Sequence, residues 1–282
     1  MLFLKIILYT GEERSNVLVR QTLKEDLILK KKTDLIRTIA EKMDWPPHER
    51  ADLKRLMEIF ASRNCPEDPH DMFPRFDTLK RAFLDSLDRG DADDVERAFL
   101  TLYCHVHGHE APYTPDERDR LDRAGGYWCH AGGISPILKA RPYLHPHATS
   151  VDLGAGNGLQ CLLLQKLYPH KKTIQVELSS KMVDSGRHLA TWLNLPANRV
   201  EWRVGDVRDF SPQDADFIYL YRPMRPTGPG KTYYERLARQ LDAIPHRVTI
   251  FSIADCLAPF LSPRFHKFYG DGHLTCFENQ AL

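Results

Sequence analysis

The stretch Val151-Asp152-Leu153-Gly154-Ala155-Gly156-Asn157-Gly158 decides how the rest of the chain is read. A short apolar run enters three glycines spaced two apart, and Leu159 to Tyr168 follows with helical periodicity. Glycine tolerates positive φ and, lacking a Cβ, lets a ligand approach the main chain. The helix that follows leaves free N–H groups at its start. Strand, tight loop and helix together suit a cofactor with a ribose and polar tails. A dinucleotide fingerprint is spaced Gly-x-Gly-x-x-Gly. The spacing here is Gly-x-Gly-x-Gly with Asp152 two residues before the first glycine, which argues against a nicotinamide cofactor.

Working outward, Thr173 to Glu177 is a strand-like run ending in a carboxylate, one helix and a turn beyond the loop. In a βαβ unit that acid sits beside the loop, where it can accept two hydrogen bonds from a ribose. Val200 to Val204 predicts a third strand, followed by Gly205-Asp206-Val207. Ala215 to Tyr221 predicts a fourth and Arg247 to Ile253 a fifth, with a helix over Gly230 to Ala243 on which Tyr233, Leu237 and Leu241 share a face. Arg264 to Tyr269 and His273 to Glu278 flank Gly270-Asp271-Gly272, a hairpin signal. Strands alternating with helices need right-handed crossovers and covered sheet faces, which puts the site at the strands' C-terminal ends.

Asp152 to Gly158 with these downstream elements resembles the class I S-adenosylmethionine-dependent methyltransferases, over roughly the C-terminal half of the chain. The resemblance implies an α/β fold, a Rossmann-like doubly wound seven-stranded sheet, mostly parallel, with a C-terminal antiparallel hairpin. It implies S-adenosyl-L-methionine as cofactor, wrapped by Asp152, Gly154, Ala155, Gly156, Asn157 and Gly158. Glu177 would hold the ribose, Asp206 the adenine amino group, and Leu178 and Val207 the two ring faces. The plainer reading of Asp206 is a turn residue after a strand. Many family members that act on nitrogen end the fourth strand in Asn or Asp followed by Pro-Pro and an aromatic residue. Here it ends Tyr221-Arg222-Pro223-Met224-Arg225-Pro226, so the amide-type acceptor is absent and oxygen is favoured over nitrogen as the methylated atom.

Methyl transfer from a sulfonium is an in-line displacement that asks mainly for alignment and exclusion of water. Tyr221 and Arg222 are the candidates for the methyl border, and His130 is a candidate base because imidazole titrates near neutrality. Arg222, Arg225 and Lys231 form a candidate clamp for a carboxylate or phosphate, or else a solvated face. Gly125 to Gly133 concentrates glycine and aromatics just before the first strand, where the family often folds over the cofactor. Tyr127 is the candidate cofactor contact there, the alternative being a linker with core aromatics.

The N-terminal part reads as helical. Leu23, Leu27 and Ile28, then Leu35, Ile36 and Ile39, follow helix spacing, as do Leu53, Leu56, Met57 and Phe60 after Pro46-Pro47. Phe76, Leu79, Phe83, Leu84 and Leu87 form a stripe that stops at Gly90, and Val95, Ala98, Phe99, Leu102 and Tyr103 form another. Cys65 to Pro74 and Gly108 to Pro115 read as loops. The expectation is an all-α domain over residues 1–110, a cap or docking module, ahead of the methyltransferase domain over residues 111–282.

Composition fits a globular chain with room for two cores, at 282 residues, 42% hydrophobic and 27% charged. A net charge of +1 gives no bulk electrostatic case for nucleic acid or anionic membrane. The six cysteines form no Cys-x-x-Cys pair, which points to a reducing cytoplasm. Met1 to Tyr9 lacks the features of a signal peptide, and no stretch approaches membrane-spanning length. Cys104-His105-Val106-His107-Gly108-His109, with Cys129-His130 nearby in sequence, matches no common zinc spacing and reads as a helix end, so no metal is expected. Three functions remain: a methyltransferase acting on a small molecule, which is favoured, the same catalyst acting on protein or RNA, or a non-catalytic S-adenosylmethionine-binding regulator.

Overall fold

The computed structural model describes residues 30–108, 113–127 and 133–280. Met1 to Tyr9, Leu23, Leu27, Ile28, His109, Cys129 and His130 lie outside the described residues. The helical part comprises α1 (30–40), α2 (Pro47–Ser62), α3 (Phe76–Arg89), α4 (Ala92–Val106), α5 (Pro115–Ala124) and α6 (Ser135–Lys139). Each boundary has a local cause. Pro47 opens α2, Gly90 closes α3 in the left-handed conformation at φ 76°, and Asp91 caps α4 by accepting from the Asp94 N–H.

The α/β part runs β1 (Thr149–Leu153), α7 (Leu159–Leu167), β2 (Lys172–Glu177), α8 (Ser180–Trp192), β3 (Val200–Val204), β4 (Phe217–Tyr221), α9 (Pro229–Asp242), β5 (Thr249–Ile253), β6 (Phe265–Gly270) and β7 (Leu274–Asn279). The seven strands are ordered β3-β2-β1-β4-β5-β7-β6. The first five pair in parallel, and β7 is antiparallel to both β5 and β6. The expected strands recur within a few residues. β4 begins at Phe217 rather than Ala215, and β5 at Thr249 rather than Arg247.

Alternation along the strands divides the core between the two sheet faces. Phe217 and Tyr219 of β4 face α7, α8 and the N-terminal helices, while Ile218 and Leu220 face α9. The first cluster does not stop at the sheet. Phe60 of α2 and Phe76 of α3 meet the Trp192 ring of α8 edge-on, at 5.4 and 6.1 Å between centroids. The buried Tyr168 hydroxyl donates to Asp52 at 2.9 Å, and Lys139 meets the buried Glu49 at 2.9 Å. Each fully buried aromatic or leucine contributes about 1.5–3 kcal/mol, so this shared cluster fastens α2 and α3 onto α7 and α8.

Helix α5 was absent from the sequence reading because none of its ten residues is buried, so it carries no apolar stripe. It is held at its ends. Thr114 and Glu117 form a capping box, and Gly125 closes the helix at φ 75°. Its exit is pinned to the segment after β4 by a Gly126–Met224 bridge and the bonds Tyr127 N–H to Pro223 O and Arg225 N–H to Gly125 O, at 3.0 and 2.7 Å. Among the described residues no helix is long and apolar enough to cross a membrane.

Candidate active site

A cavity of about 430 Å³ opens at the C-terminal ends of β1 to β4, a volume in the usual range for small-molecule sites. Its floor is the glycine loop. At Gly156, with φ 58°, an added Cβ would meet only the Met182 methyl, at 3.5 Å, so the main chain there faces open space. At Gly158, with φ 70°, a Cβ would come within 2.6 Å of the Trp202 ring, so that glycine is required by packing. Trp202 also presses on Gly186 of α8 and wedges the loop against that helix.

Glu177 ends β2 beneath the cavity. Its Oε2 accepts from the Gly156 N–H and its Oε1 from the Ser179 N–H, both at 2.8 Å. Burial pushes this carboxyl up to about 7, more than the backbone hydrogen bonds of Ser179, Gly156 and Leu178 draw it down. One side chain thus holds the shape of the loop and offers an acid to the cavity. Beyond β3, Asp206 and Val207 line the same cavity, as does Leu178. Asp206 accepts from Arg208 Nε at 3.0 and 3.1 Å, from Arg208 Nη2 at 2.7 Å and from its backbone N–H at 2.9 Å. Burial raises the Asp206 carboxyl, but Arg208 outweighs it and leaves the acid below its ordinary value.

Gly154, Ala155, Gly156, Glu177, Leu178, Asp206, Val207, Tyr127 and Tyr221 meet on this one cavity wall. Asp152, Asn157, Gly158 and Arg222 are not brought to it. Asp152 is buried below the loop beside Cys161, and burial, then the charge of Glu177, raise it to about 7 against the Cys161 hydrogen bond. Asn157 donates through Nδ2 to Val106 O at 2.8 Å and accepts from the Leu159 N–H at 3.2 Å, tying the loop to the end of α4. Arg222 sits at φ 34° with its guanidinium 4.2 Å over the Tyr127 ring, and Arg225 lies 5.5 Å from the same ring. Lys231 is turned to Glu235 at 2.7 Å, so the three cations do not form one clamp on the cavity.

Other residues on the wall escaped the sequence reading. Arg120 and Arg123 come from α5, Arg208 from the turn after β3, and His107 from the end of α4. His107 had a readable signal, since it extends the buried stripe Val95, Phe99, Leu102, Tyr103 by one turn. The Tyr221 phenol, raised by burial, stands edge-on to the His273 ring at 6.0 Å.

This cavity fits an adenosine bearing an amino-acid tail. A glycine main chain open to it, a desolvated carboxylate and two apolar side chains beside a second acid are the donors and surfaces such a ligand uses. Residues 151–242 match the family model of the methyltransferase domain. Solved structures with similar folds include an RNA methyltransferase from Salinibacter ruber in complex with S-adenosyl-L-homocysteine, 17% identical over 51% of this chain and 87% of that one, TM-score 0.40. They also include TrmN from Thermus thermophilus, 19% identical over 52% of this chain and 48% of that one, TM-score 0.40. A third is an rRNA methylase from Streptococcus thermophilus, 13% identical over 52% of this chain and 95% of that one, TM-score 0.38. No curated protein matches the chain. Residues 151–242, which match the methyltransferase domain, carry the glycine loop, Glu177 and Asp206 that border one cavity at the strand ends of this sheet.

Proposed function

We propose that this methyltransferase acts on a small-molecule acceptor, with oxygen favoured over nitrogen, and that the cavity beneath α5 binds cofactor and acceptor together. The observation that carries the reading is the convergence of Gly156, Glu177, Leu178, Asp206 and Val207 on one cavity roofed by a surface helix. Glu177 would hold the ribose hydroxyls, Asp206 the adenine amino group, and Leu178 and Val207 the ring faces. Bound there, S-adenosylmethionine supplies an electrophilic methyl group. Gly154 to Gly156 would present main-chain groups to its polar tail. Tyr221 borders the acceptor side, and because burial keeps it a phenol at neutral pH it orients through its hydroxyl and does not act as a base. Arg222 acts through Tyr127, whose ring it packs against, and α5 keeps water out. His130 stays in this proposal as a candidate base. Cys65, Cys104, Cys161, Cys256 and Cys276 are free thiols, which supports a reducing compartment such as the cytoplasm.

Isothermal titration with S-adenosylmethionine and its demethylated product tests cofactor binding. Labelled-methyl transfer to size-fractionated cell extract tests the acceptor. Label in the low-molecular-weight fraction supports a small molecule, and binding without transfer to any fraction supports the regulator. Tyr127 in contact with the Arg222 and Arg225 guanidinium groups, and lining the cavity with Arg120 and Arg123, favours a second reading in which the acceptor is RNA. Label in nucleic acid that falls steeply with added salt is the outcome it requires.

A further inference from the structure

His107 is not accounted for by the methyltransferase domain, since it caps the C-terminus of α4, well before residue 151. Its ring lines the cavity. Its Nδ1 is sealed from solvent and has no hydrogen-bond partner among the described residues. A sealed N–H without an acceptor is the rarer arrangement, which places the proton on Nε2. Burial lowers the imidazole to about 4, so the ring is neutral at physiological pH and offers one N–H to whatever fills the cavity.

The position of His107 selects the ligand group. Tyr103, one turn earlier, has its ring 5.9 Å from the His107 ring and lies electrostatically beside Asp152 of β1 and Tyr221 of β4. The preceding Val106 carbonyl takes the Asn157 bond from the glycine loop. Tyr103, whose ring His107 faces, thus sits beside β1 and β4, whereas Glu177 and Asp206 end β2 and β3, on the opposite side of the strand order. With adenosine on the β2–β3 side, the amino-acid end of the cofactor would extend toward the β1–β4 side of the cavity, which His107 also lines. Arg120 lies toward the other end, where its charge acts on Asp206.

We propose that His107 is a cofactor-binding residue whose Nε2–H donates to the α-carboxylate of S-adenosylmethionine, so that the helical region supplies part of the cofactor site. This rests on the assignment of the cavity made above. A neutral donor suits that end of the ligand, because a protonated imidazole would repel the sulfonium and the ammonium.

The test is calorimetric titration of wild type, H107A and H107Q with S-adenosylmethionine and with decarboxylated S-adenosylmethionine, which lacks only the carboxylate. H107A weakens the first by about tenfold, the scale of one charge-assisted hydrogen bond, and the second by less than about twofold. H107Q, which keeps a side-chain N–H donor, recovers part of the loss. If H107A is unfolded by circular dichroism, H107F takes its place, filling the ring volume without a donor. Equal weakening of both ligands, or of neither, overturns the role of His107 and leaves the cavity assignment standing. Failure of wild type to bind either ligand overturns the cavity assignment itself.

Discussion

The floor and the roof of the cavity are built differently. The floor is the glycine loop and the ends of four parallel strands, set by main-chain bonds such as Gly154 N–H and Ala155 N–H to Val176 O at 3.0 and 2.9 Å, and backed by the buried Glu177 and Asp152. The roof is α5, which buries none of its residues and is pinned by its exit to the segment after β4. A floor fixed by strand register presents its groups to the cofactor before it arrives. A roof held by caps and a few edge bonds can part from β4 without breaking the core, since local opening costs least where few apolar contacts are made. Under the proposed function, the difference would give cofactor recognition to the floor and passage of the acceptor to the roof.

The sharpest way to break this comparison lies within the floor. Gly156→Val should remove detectable cofactor binding in titration, because its side chain enters the open cavity, while costing only about 1–2 kcal/mol of left-handed backbone strain. Gly158→Val, whose Cβ would lie 2.6 Å from the Trp202 ring, should instead lower the melting temperature steeply. If the two variants behave alike, the open and the packed glycines are not different in kind.

Next in size, Glu177→Ala should weaken S-adenosylmethionine by about 1.5–3 kcal/mol, the scale of lost hydrogen bonds to a charged group. A titration unchanged from wild type would remove the acid from the site.

A smaller effect separates stability from binding. Burial raises Asp152 and Glu177 to about 7, whereas unfolded carboxylates titrate at about 4. Between those values the folded chain holds more protons than the unfolded one. The stability contributed by these two groups is full at low pH and is lost as pH rises through about 7. Buried His107, lowered to about 4, acts in the opposite sense below about pH 6.5, so the readout is the difference between variants: the melting-temperature advantage of wild type over Asp152→Asn should shrink from about pH 5 to 8. A difference that does not change with pH would contradict the raised Asp152 carboxyl.

The smallest effect belongs to the roof. Tyr127→Ala removes the ring under Arg222 and should cost about 1 kcal/mol, seen as faster cofactor release in stopped flow with little change in melting temperature. Loss on the scale of Glu177→Ala would show that the roof also recognises the cofactor.

The same division explains what could be read from the sequence. Strand ends and the glycine loop are local: Val200 to Val204 was bounded correctly, and Glu177 was visible as a carboxylate closing an apolar run at the right remove from Gly158. The dispositions of Asn157 and Arg222 were not visible. One turns to a carbonyl of α4 and the other to the Tyr127 ring, and both partners are set by tertiary packing. Arg208 was missed because its grip on Asp206, two residues away, depends on side-chain rotamers that no spacing rule encodes. Helix α5 lacked an apolar stripe, yet Thr114-Pro115-Asp116-Glu117 carried a capping box with a proline at the helix start, a signal that does not rely on burial.

Trp202 gives the floor an optical handle. Its indole is wedged between Gly158 and Gly186, so any shift of the loop when ligand arrives changes the surroundings of that chromophore. The chain has four tryptophans, and of the others Trp45 is bonded to Glu96 of α4 and Trp192 is packed among the rings of α2 and α3, both away from the cavity wall. With Trp45, Trp128 and Trp192 replaced by phenylalanine, emission from Trp202 would follow occupancy of the floor in real time, with no label on either protein or ligand.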